Sequence, residues 1–244
     1  MRRATAMLSG LMTAALALQG CMAPAPQSYP ATTGRTPAPA IVSSEPAPAP
    51  PVKDFRTIVA RVEPVAEQFC RATSGSRNCD FRIELDSDPS KPANAYQTLL
   101  YTGQPLLVVN AALMEELDNA DEVAFVISHE AAHHISDHIM KQQNSTEAAA
   151  LAAGLAAAAL GANQSTIATA QEFGAYTGSR AYSKNYELEA DSLGAQIAYY
   201  AGYDPLKGVA YFSRARDPGD VFLGTHPPNQ QRIAAVRDSM SRLR

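Results

Sequence analysis

The sequence predicts a mainly α-helical domain with one small antiparallel β-sheet, which is an α+β fold. Apolar and polar residues alternate at 81–86, and two further segments before residue 110 look like strands, whereas most of the chain after residue 110 looks helical. The 244 residues are 46% hydrophobic and 18% charged, which is ordinary for a globular protein. Because the formal net charge is −4, there is no basic field for phosphates, and no nucleic-acid partner is expected.

The folded domain is expected to occupy residues 53–244. Asp54 can cap a first helix, which the apolar spacing extends to about residue 72. A half-buried strand is expected at 81–85. Two more strands are expected at 94–101 and 105–109, and helices at 110–117, 120–142, 146–161, 165–178, 184–201, 205–215 and 228–243.

Residues 1–20 have the pattern of an export signal. Two arginines precede an apolar segment at 6–18, which is too short to span a bilayer. The segment leads to Cys21 in the pattern of a bacterial lipobox, which predicts lipidation of Cys21 and attachment to a membrane surface. An ordinary secretory signal with an incidental cysteine is the alternative.

Residues 21–52 are expected to form a tether after the lipidated cysteine. This stretch holds nine of the 17 prolines of the chain, and such a composition does not build a packed core. Met22 follows Cys21, and bacterial sorting rules for lipoproteins then favour the outer membrane. The expected location is therefore the bacterial cell envelope, lipid-anchored at the periplasmic face of the outer membrane.

Cys70 and Cys79 are nine residues apart, on either side of a turn-like segment. In an oxidising compartment such a pair favours a structural disulfide, and a free pair is the alternative. The uncharged, alanine-rich stretch 148–162 raises the question of a membrane segment. It is too short and too weakly apolar to span a bilayer, so a helix packed closely against its neighbours is expected.

His129, Glu130 and His133 form a His-Glu-x-x-His pattern. On a helix the two imidazoles lie one turn apart on one face, so both can bind one ion, with Glu130 beside it as a proton acceptor. An apolar run leads into the motif from a capping box formed by Asn119 and Glu122. The pattern predicts one Zn²⁺ per chain, and a polar helix with scattered histidines is the alternative.

A third zinc ligand is expected from a later acidic helix. Glu187 and Asp191 lie one turn apart there, which suits Glu187 as a ligand and Asp191 as the acceptor of a ligand's imidazole N–H. Glu189 points away from that face, and a solvated acidic helix end is the alternative. His134 and His138 face other directions on the predicted helix and are interpreted as structural residues.

Four segments of the chain resemble the HtpX-like and BepA/LoiP-like family of zinc metalloendopeptidases, gluzincins related to the CAAX prenyl proteases. The segments are 94–110, 129–138, 183–194 and 225–233, in the same order as in the family. The resemblance implies a gluzincin-type metalloprotease domain whose active-site helix carries the His-Glu-x-x-His motif. It implies His129, His133 and Glu187 as zinc ligands, Glu130 as general base and Asp191 behind the ligands.

The resemblance also adds residues around the metal. His226 is implied as a catalytic residue that stabilises the oxyanion of the substrate or, without substrate, binds the metal and blocks it. Arg232 is implied to hold a carboxylate or the oxyanion. Asn94, Ala95 and Tyr96 are implied as an edge strand along which an extended substrate lies.

These residues predict a zinc-dependent metalloendopeptidase of the bacterial cell envelope, with unfolded or misassembled envelope proteins as substrates and quality control as its role. The alternative of another class is a non-catalytic, zinc-bound envelope lipoprotein that acts as a chaperone or assembly factor. Bound zinc without any cleavage of unfolded substrates would indicate that alternative. A third interpretation, a purely structural tether, requires no metal.

Overall fold

The computed structural model describes residues 46–73, 75, 77–181, 183–219 and 226–243. The expected export signal, the lipidation site Cys21 and most of the expected tether lie outside the described residues. In the part of the chain that is described, no helix is both long and apolar enough to cross a bilayer.

The described chain is mostly helical with one three-stranded sheet, which confirms the predicted α+β class. The strands are β1 (Arg82–Asp86), β2 (Ala95–Leu99) and β3 (Pro105–Asn110). The helices are α1 (Phe55–Thr73), α2 (Ala111–Glu116), α3 (Ala120–Ile135), α4 (His138–Ala159), α5 (Gln164–Arg180), α6 (Ser183–Tyr200), α7 (Pro205–Gly208) and α8 (Asn229–Ser241), with a 3₁₀ helix at Val209–Ser213.

The sheet is mixed, so the prediction of an antiparallel sheet is wrong for one pairing. β2 and β3 form the expected antiparallel pair, but β1 lies parallel to β3 on its other side, which gives the order β1-β3-β2. β3 is the most buried strand of the three and therefore takes the central position. The segment 87–94 crosses from β1 to the opposite edge of the sheet, where β2 lies. An alternation of polar and apolar residues does not predict such a crossing.

The single helix predicted at 120–142 is also wrong, because the chain breaks between α3 and α4. Asp137 adopts a left-handed conformation with φ of 60°, a conformation that aspartate tolerates better than most residues. Arg77 donates hydrogen bonds to the carbonyl oxygens of His134 and Ile135 at 2.8 and 2.7 Å. These bonds go to carbonyls of the last turn of α3, where the His134 carbonyl oxygen also accepts from the backbone of Asp137 at 3.0 Å.

Cys70 and Cys79 are joined by a disulfide. Cys70 lies near the end of α1, and the closed loop carries Arg77, so the disulfide ties α1 to the segment that caps α3. Cys70 and Cys79 are both buried in the main apolar core, between α1, the sheet and α3.

The alanine-rich stretch belongs to α4, which forms a hairpin with α5. Gly174 and Gly178 of α5 lie directly against the backbone of α4 at Ala149 and Ser145, where no side chain would fit. The expected close packing through small residues is therefore confirmed. The outer side of α4 leaves Leu151 exposed.

α3 and α6 pack together at the centre of the domain, and Gly194 sets their distance. A Cβ atom on Gly194 would lie 2.9 Å from both the Cα and the backbone nitrogen of His129. The backbones of the two helices are thus in direct contact at the first histidine of the motif. Glycine is required there because any side chain would push α6 away from α3.

We expect Gly194→Ala to destabilise the protein by about 1–3 kcal/mol, because the added methyl group meets backbone that cannot yield. Alanine would otherwise favour a helix over glycine by up to about 1 kcal/mol. Gly154→Ala is the matched control, since its Cβ meets only the flexible side chain of Gln171. Urea unfolding of both variants checks the prediction, and equal stability of the two would contradict it.

Candidate metal centre

The N-terminus of α3 is held by a network of buried polar groups. The side chain of Asn119 accepts a hydrogen bond from the backbone of Glu122 at 3.0 Å. In a capping box the Glu122 carboxylate would accept from the backbone N–H of Asn119. Here it accepts instead from the backbone N–H of Asp118, one residue earlier, at 2.7 Å. Glu122 is 2% exposed, and its charge is paired with Arg214. The helix that carries the motif therefore begins at a well-defined residue.

Two imidazoles of α3 and one carboxylate of α6 converge on one point. The Nε2 atoms of His129 and His133 lie 3.0 Å apart. Oε1 of Glu187 lies 3.3 Å from Nε2 of His133, and Oε2 lies 3.6 Å from Nε2 of His129. These three residues form the one metal-capable group of histidine, cysteine and acidic side chains found among the described residues.

The residues fit a zinc ion. Donor atoms about 2.0–2.1 Å from a tetrahedral zinc lie about 3.3 Å from one another, which matches the three separations in this cluster. Oε2 of Glu187 is buried and accepts no hydrogen bond of normal geometry from the described residues. The nearest donors, on His226, Arg232 and His129, lie 3.3 to 3.6 Å from this oxygen. Burying a carboxylate oxygen without a hydrogen bond is costly, and a bound cation would offset that cost. The three candidate ligands, His129, His133 and Glu187, also line one cavity.

A buried ion pair lies behind His129. Oδ1 of Asp191, which is fully buried, lies 3.0 Å from Nδ1 of His129. Arg232 of α8 donates two hydrogen bonds to the Asp191 carboxylate, at 2.7 and 2.8 Å. The guanidinium also lies 3.9 Å from the ring centre of Phe212. Asp191 thus holds the ring of His129 with its Nε2 turned toward the cluster, and Arg232 neutralises Asp191.

The charges of the cluster shift its pKa values strongly. Burial by itself would lower the pKa of His129, but hydrogen bonds to Asp191 and Glu187 outweigh burial and raise that pKa to about 10. Burial would raise the pKa of Glu187, but the neighbouring imidazoles of His129, His133 and His226 hold it well below its usual range. The carboxylates of Asp191 and Glu187 therefore favour the protonated form of His129 when no metal is bound.

Glu130 lines a cavity of about 610 Å³ that opens beside the cluster. It is half-buried, one residue after His129 on α3. Asn94, Ala95 and Tyr96 line the same cavity. β2 pairs only with β3 in the described sheet, so its other edge faces the cavity side without a neighbouring strand. The structure thus brings the expected base and the expected substrate strand to one cleft.

His226 and Arg232 differ in how they relate to this cavity. His226 is exposed, and its Nδ1 lies 3.3 Å from Oε2 of Glu187. Arg232 is 8% exposed and lines the same cavity. It donates two hydrogen bonds to Asp191, and its guanidinium also lies 3.3 Å from Nδ1 of His129 and 3.5 Å from Oε2 of Glu187. Arg232 therefore holds the Asp191 carboxylate, and its predicted role toward an oxyanion stays a prediction.

The two histidines interpreted as structural are placed differently from each other. His134 is buried, and its Nε2 lies 2.8 Å from the carbonyl oxygen of Asn78, which suits a structural residue. His138 does not lie on the far side of a continuous helix, because the break before α4 turns it back toward the cluster. Its Nδ1 lies 2.9 Å from Nδ1 of His133, and its Nε2 lies 3.2 Å from Oε2 of Glu189. Sequence reasoning missed both contacts.

The sequence model of a known family, described as Peptidase family M48, matches residues 54–240. The chain is 26% identical over 152 residues to the "Beta-barrel assembly-enhancing protease" of Escherichia coli, covering 57% of this chain and 31% of that protein. It is 28% identical over 153 residues to the protein of that name in Yersinia pestis, with the same coverage. It is 25% identical over 174 residues to the "Mitochondrial metalloendopeptidase OMA1" of Schizosaccharomyces pombe, covering 68% of this chain and 49% of that protein. The chain therefore spans about a third of the length of the first two relatives.

We expect His129 of the metal-free protein to remain protonated at pH 8. An ordinary histidine, with a pKa near 6.5, is mostly neutral at that pH, whereas a pKa of about 10 keeps His129 charged. Because the pKa is raised on folding, this proton stabilises the metal-free fold, and the stabilisation is lost as the pH rises through about 10. Imidazole signals followed by NMR from pH 5 to pH 11, assigned with His129→Gln, measure the pKa. Titration of His129 near pH 6.5 would show that Asp191 and Glu187 do not raise its pKa, and it would contradict this prediction.

Proposed function

The chain belongs to peptidase family M48, and from that premise we propose that it is a zinc-dependent metalloendopeptidase. The observation that carries the proposal is the convergence of His129, His133 and Glu187 beside Glu130, at the floor of a cavity edged by β2. Each part has a use in peptide-bond hydrolysis: three ligands for zinc, a base, and a strand edge for the substrate backbone.

Zinc held by the three ligands would supply a Lewis acid that lowers the pKa of a water molecule to about 7 and polarises the scissile carbonyl. Glu130 follows His129 on α3, and its carboxylate accepts the proton of the attacking water. After attack, the protonated Glu130 returns this proton to the nitrogen of the leaving amine. The residue therefore acts first as a base and then as an acid within one turnover.

The substrate is proposed to lie extended along the free edge of β2, pairing its backbone with Ala95 and Tyr96. Such pairing uses main-chain hydrogen bonds, so it accepts many sequences and suits unfolded segments. Leu113, Phe125 and Val126 line the cavity as apolar side chains. They offer a place for an apolar substrate side chain next to the scissile bond.

His226 is proposed to stabilise the oxyanion that develops on the substrate carbonyl. The support is its position, since it is exposed, lines the cavity and lies close to Glu187. In the absence of substrate, the same position lets His226 bind the metal and block it. Arg232 is proposed to hold the Asp191 carboxylate and, through it, the ring of His129, which its guanidinium also contacts at 3.3 Å.

We propose further that the protein acts in the bacterial cell envelope on unfolded or misassembled proteins. The support is the lipobox pattern around Cys21 and the proline-rich stretch 21–52, which would anchor the domain and let it stand off from a membrane surface. Two similar proteins carry a name that refers to β-barrel assembly. A protease attached in this way would meet envelope proteins before they are assembled.

We expect Glu130→Gln to bind one zinc per chain and to cleave an unfolded protein such as casein at least about 10²-fold more slowly than the wild type. The amide keeps the size of the side chain but cannot accept the proton of the attacking water. Zinc content by mass spectrometry and initial rates of casein cleavage give the two readouts.

The matched control is Glu172→Gln, which changes an exposed glutamate of α5 in the same way and should leave both readouts at wild-type values. Cleavage by Glu130→Gln at the wild-type rate would contradict the role of Glu130. Bound zinc in the wild type with no cleavage would contradict the proposed activity and favour the chaperone alternative.

A further inference from the structure

A chain of three side chains runs outward from the candidate metal cluster. His133 of α3 lies at its inner end, His138 is the first residue of α4, and Glu189 of α6 lies at its outer end. The distances are 2.9 Å between the Nδ1 atoms of the two histidines and 3.2 Å from Nε2 of His138 to Oε2 of Glu189. Three helices therefore meet in one line of hydrogen bonds.

The arrangement allows one distribution of protons when a metal is bound. Nε2 of His133 faces the cluster, so a neutral His133 that binds metal through this atom carries its hydrogen on Nδ1. That hydrogen must be donated to the lone pair on Nδ1 of His138. His138 then carries its own hydrogen on Nε2, and Glu189, as a carboxylate, accepts it.

The surroundings of His138 favour this orientation of its ring. The imidazole is 4% exposed and stacks on the ring of Tyr186, with a centroid distance of 4.6 Å and an angle of 19°. Glu189 is half exposed, and Lys141 lies 3.9 Å from its Oε2. The ring of His138 is thus fixed by packing, while the carboxylate at the end of the line keeps contact with solvent.

We propose that His138 and Glu189 are positioning residues for the metal ligand His133. Asp191 holds the other ligand, His129, by a direct carboxylate contact, and Glu189 does the same for His133 through the ring of His138. Each ligand imidazole is therefore oriented by a carboxylate, which fixes its tautomer and increases its basicity toward the metal. The proposal rests on the proposed zinc site, since it assumes that His133 binds the metal.

Two variants test the line at different points. Glu189→Gln keeps the size of a half-exposed side chain and removes its charge. His138→Phe keeps a ring against Tyr186 but removes both nitrogens. We expect zinc to bind about 10-fold more weakly to Glu189→Gln and about 10- to 100-fold more weakly to His138→Phe, measured by competition with a chromogenic chelator. Glu147→Gln, at an exposed glutamate of α4, is the matched control and should bind zinc like the wild type.

The tautomers give a readout that a purely structural role would not predict. Two-bond ¹H–¹⁵N NMR of the zinc-loaded wild type should show His133 protonated on Nδ1 and His138 protonated on Nε2. A hydrogen on Nδ1 of His138, or wild-type zinc affinity in both variants, would overturn the relay. If His133→Ala also kept wild-type zinc affinity, the proposed zinc site itself would fail, so the two failures are distinguishable.

Discussion

The contact between α3 and α6 at Gly194 is the constraint on which the rest of the structure depends. α3 supplies two of the candidate ligands and the base, whereas α6 supplies Glu187 and Asp191. Carboxylate side chains reach the imidazoles only because the two backbones touch at His129. A layer of side chains between the two helices would separate them by several ångströms, and Glu187 would no longer reach His129 and His133.

This close contact brings ionisable groups together in a buried place, and the structure balances their charges. Glu187 and Asp191 carry negative charge at less than a tenth of full exposure. Arg232 and a protonated His129 offset these charges in the metal-free chain. A divalent cation would displace the extra proton of His129 and bind Oε2 of Glu187. The same side chains can therefore balance their charges with or without a bound metal.

Sequence reasoning succeeded where a local pattern determines the result. A spacing of four residues places His129 and His133 on one face of α3, and it places Glu187 and Asp191 on one face of α6. In the structure these two faces meet, so that His129 contacts Asp191 and His133 contacts Glu187. The predictions were less accurate where contacts between residues far apart in the sequence determine the structure. The end of α3 depends on Arg77, which lies in a disulfide-closed loop more than 50 residues earlier.

The position of His138 follows from that end. A continuous helix would have carried this histidine away from the cluster, and a left-handed residue at Asp137 turns it back. The parallel pairing of β1 is a second example, because it depends on which strand is buried in the centre and not on the pattern within β1. Both differences arise from tertiary contacts, which a local pattern does not contain.

The position of a bound metal ion is the most direct test of whether His129, His133 and Glu187 form a metal site. A crystal of the zinc-loaded protein, measured on both sides of the zinc absorption edge, locates the ion independently of any assumption about its ligands. We expect one anomalous peak per chain, about 2 Å from Nε2 of His129, Nε2 of His133 and a carboxylate oxygen of Glu187. A peak held by other residues, or no peak between α3 and α6, would contradict this expectation.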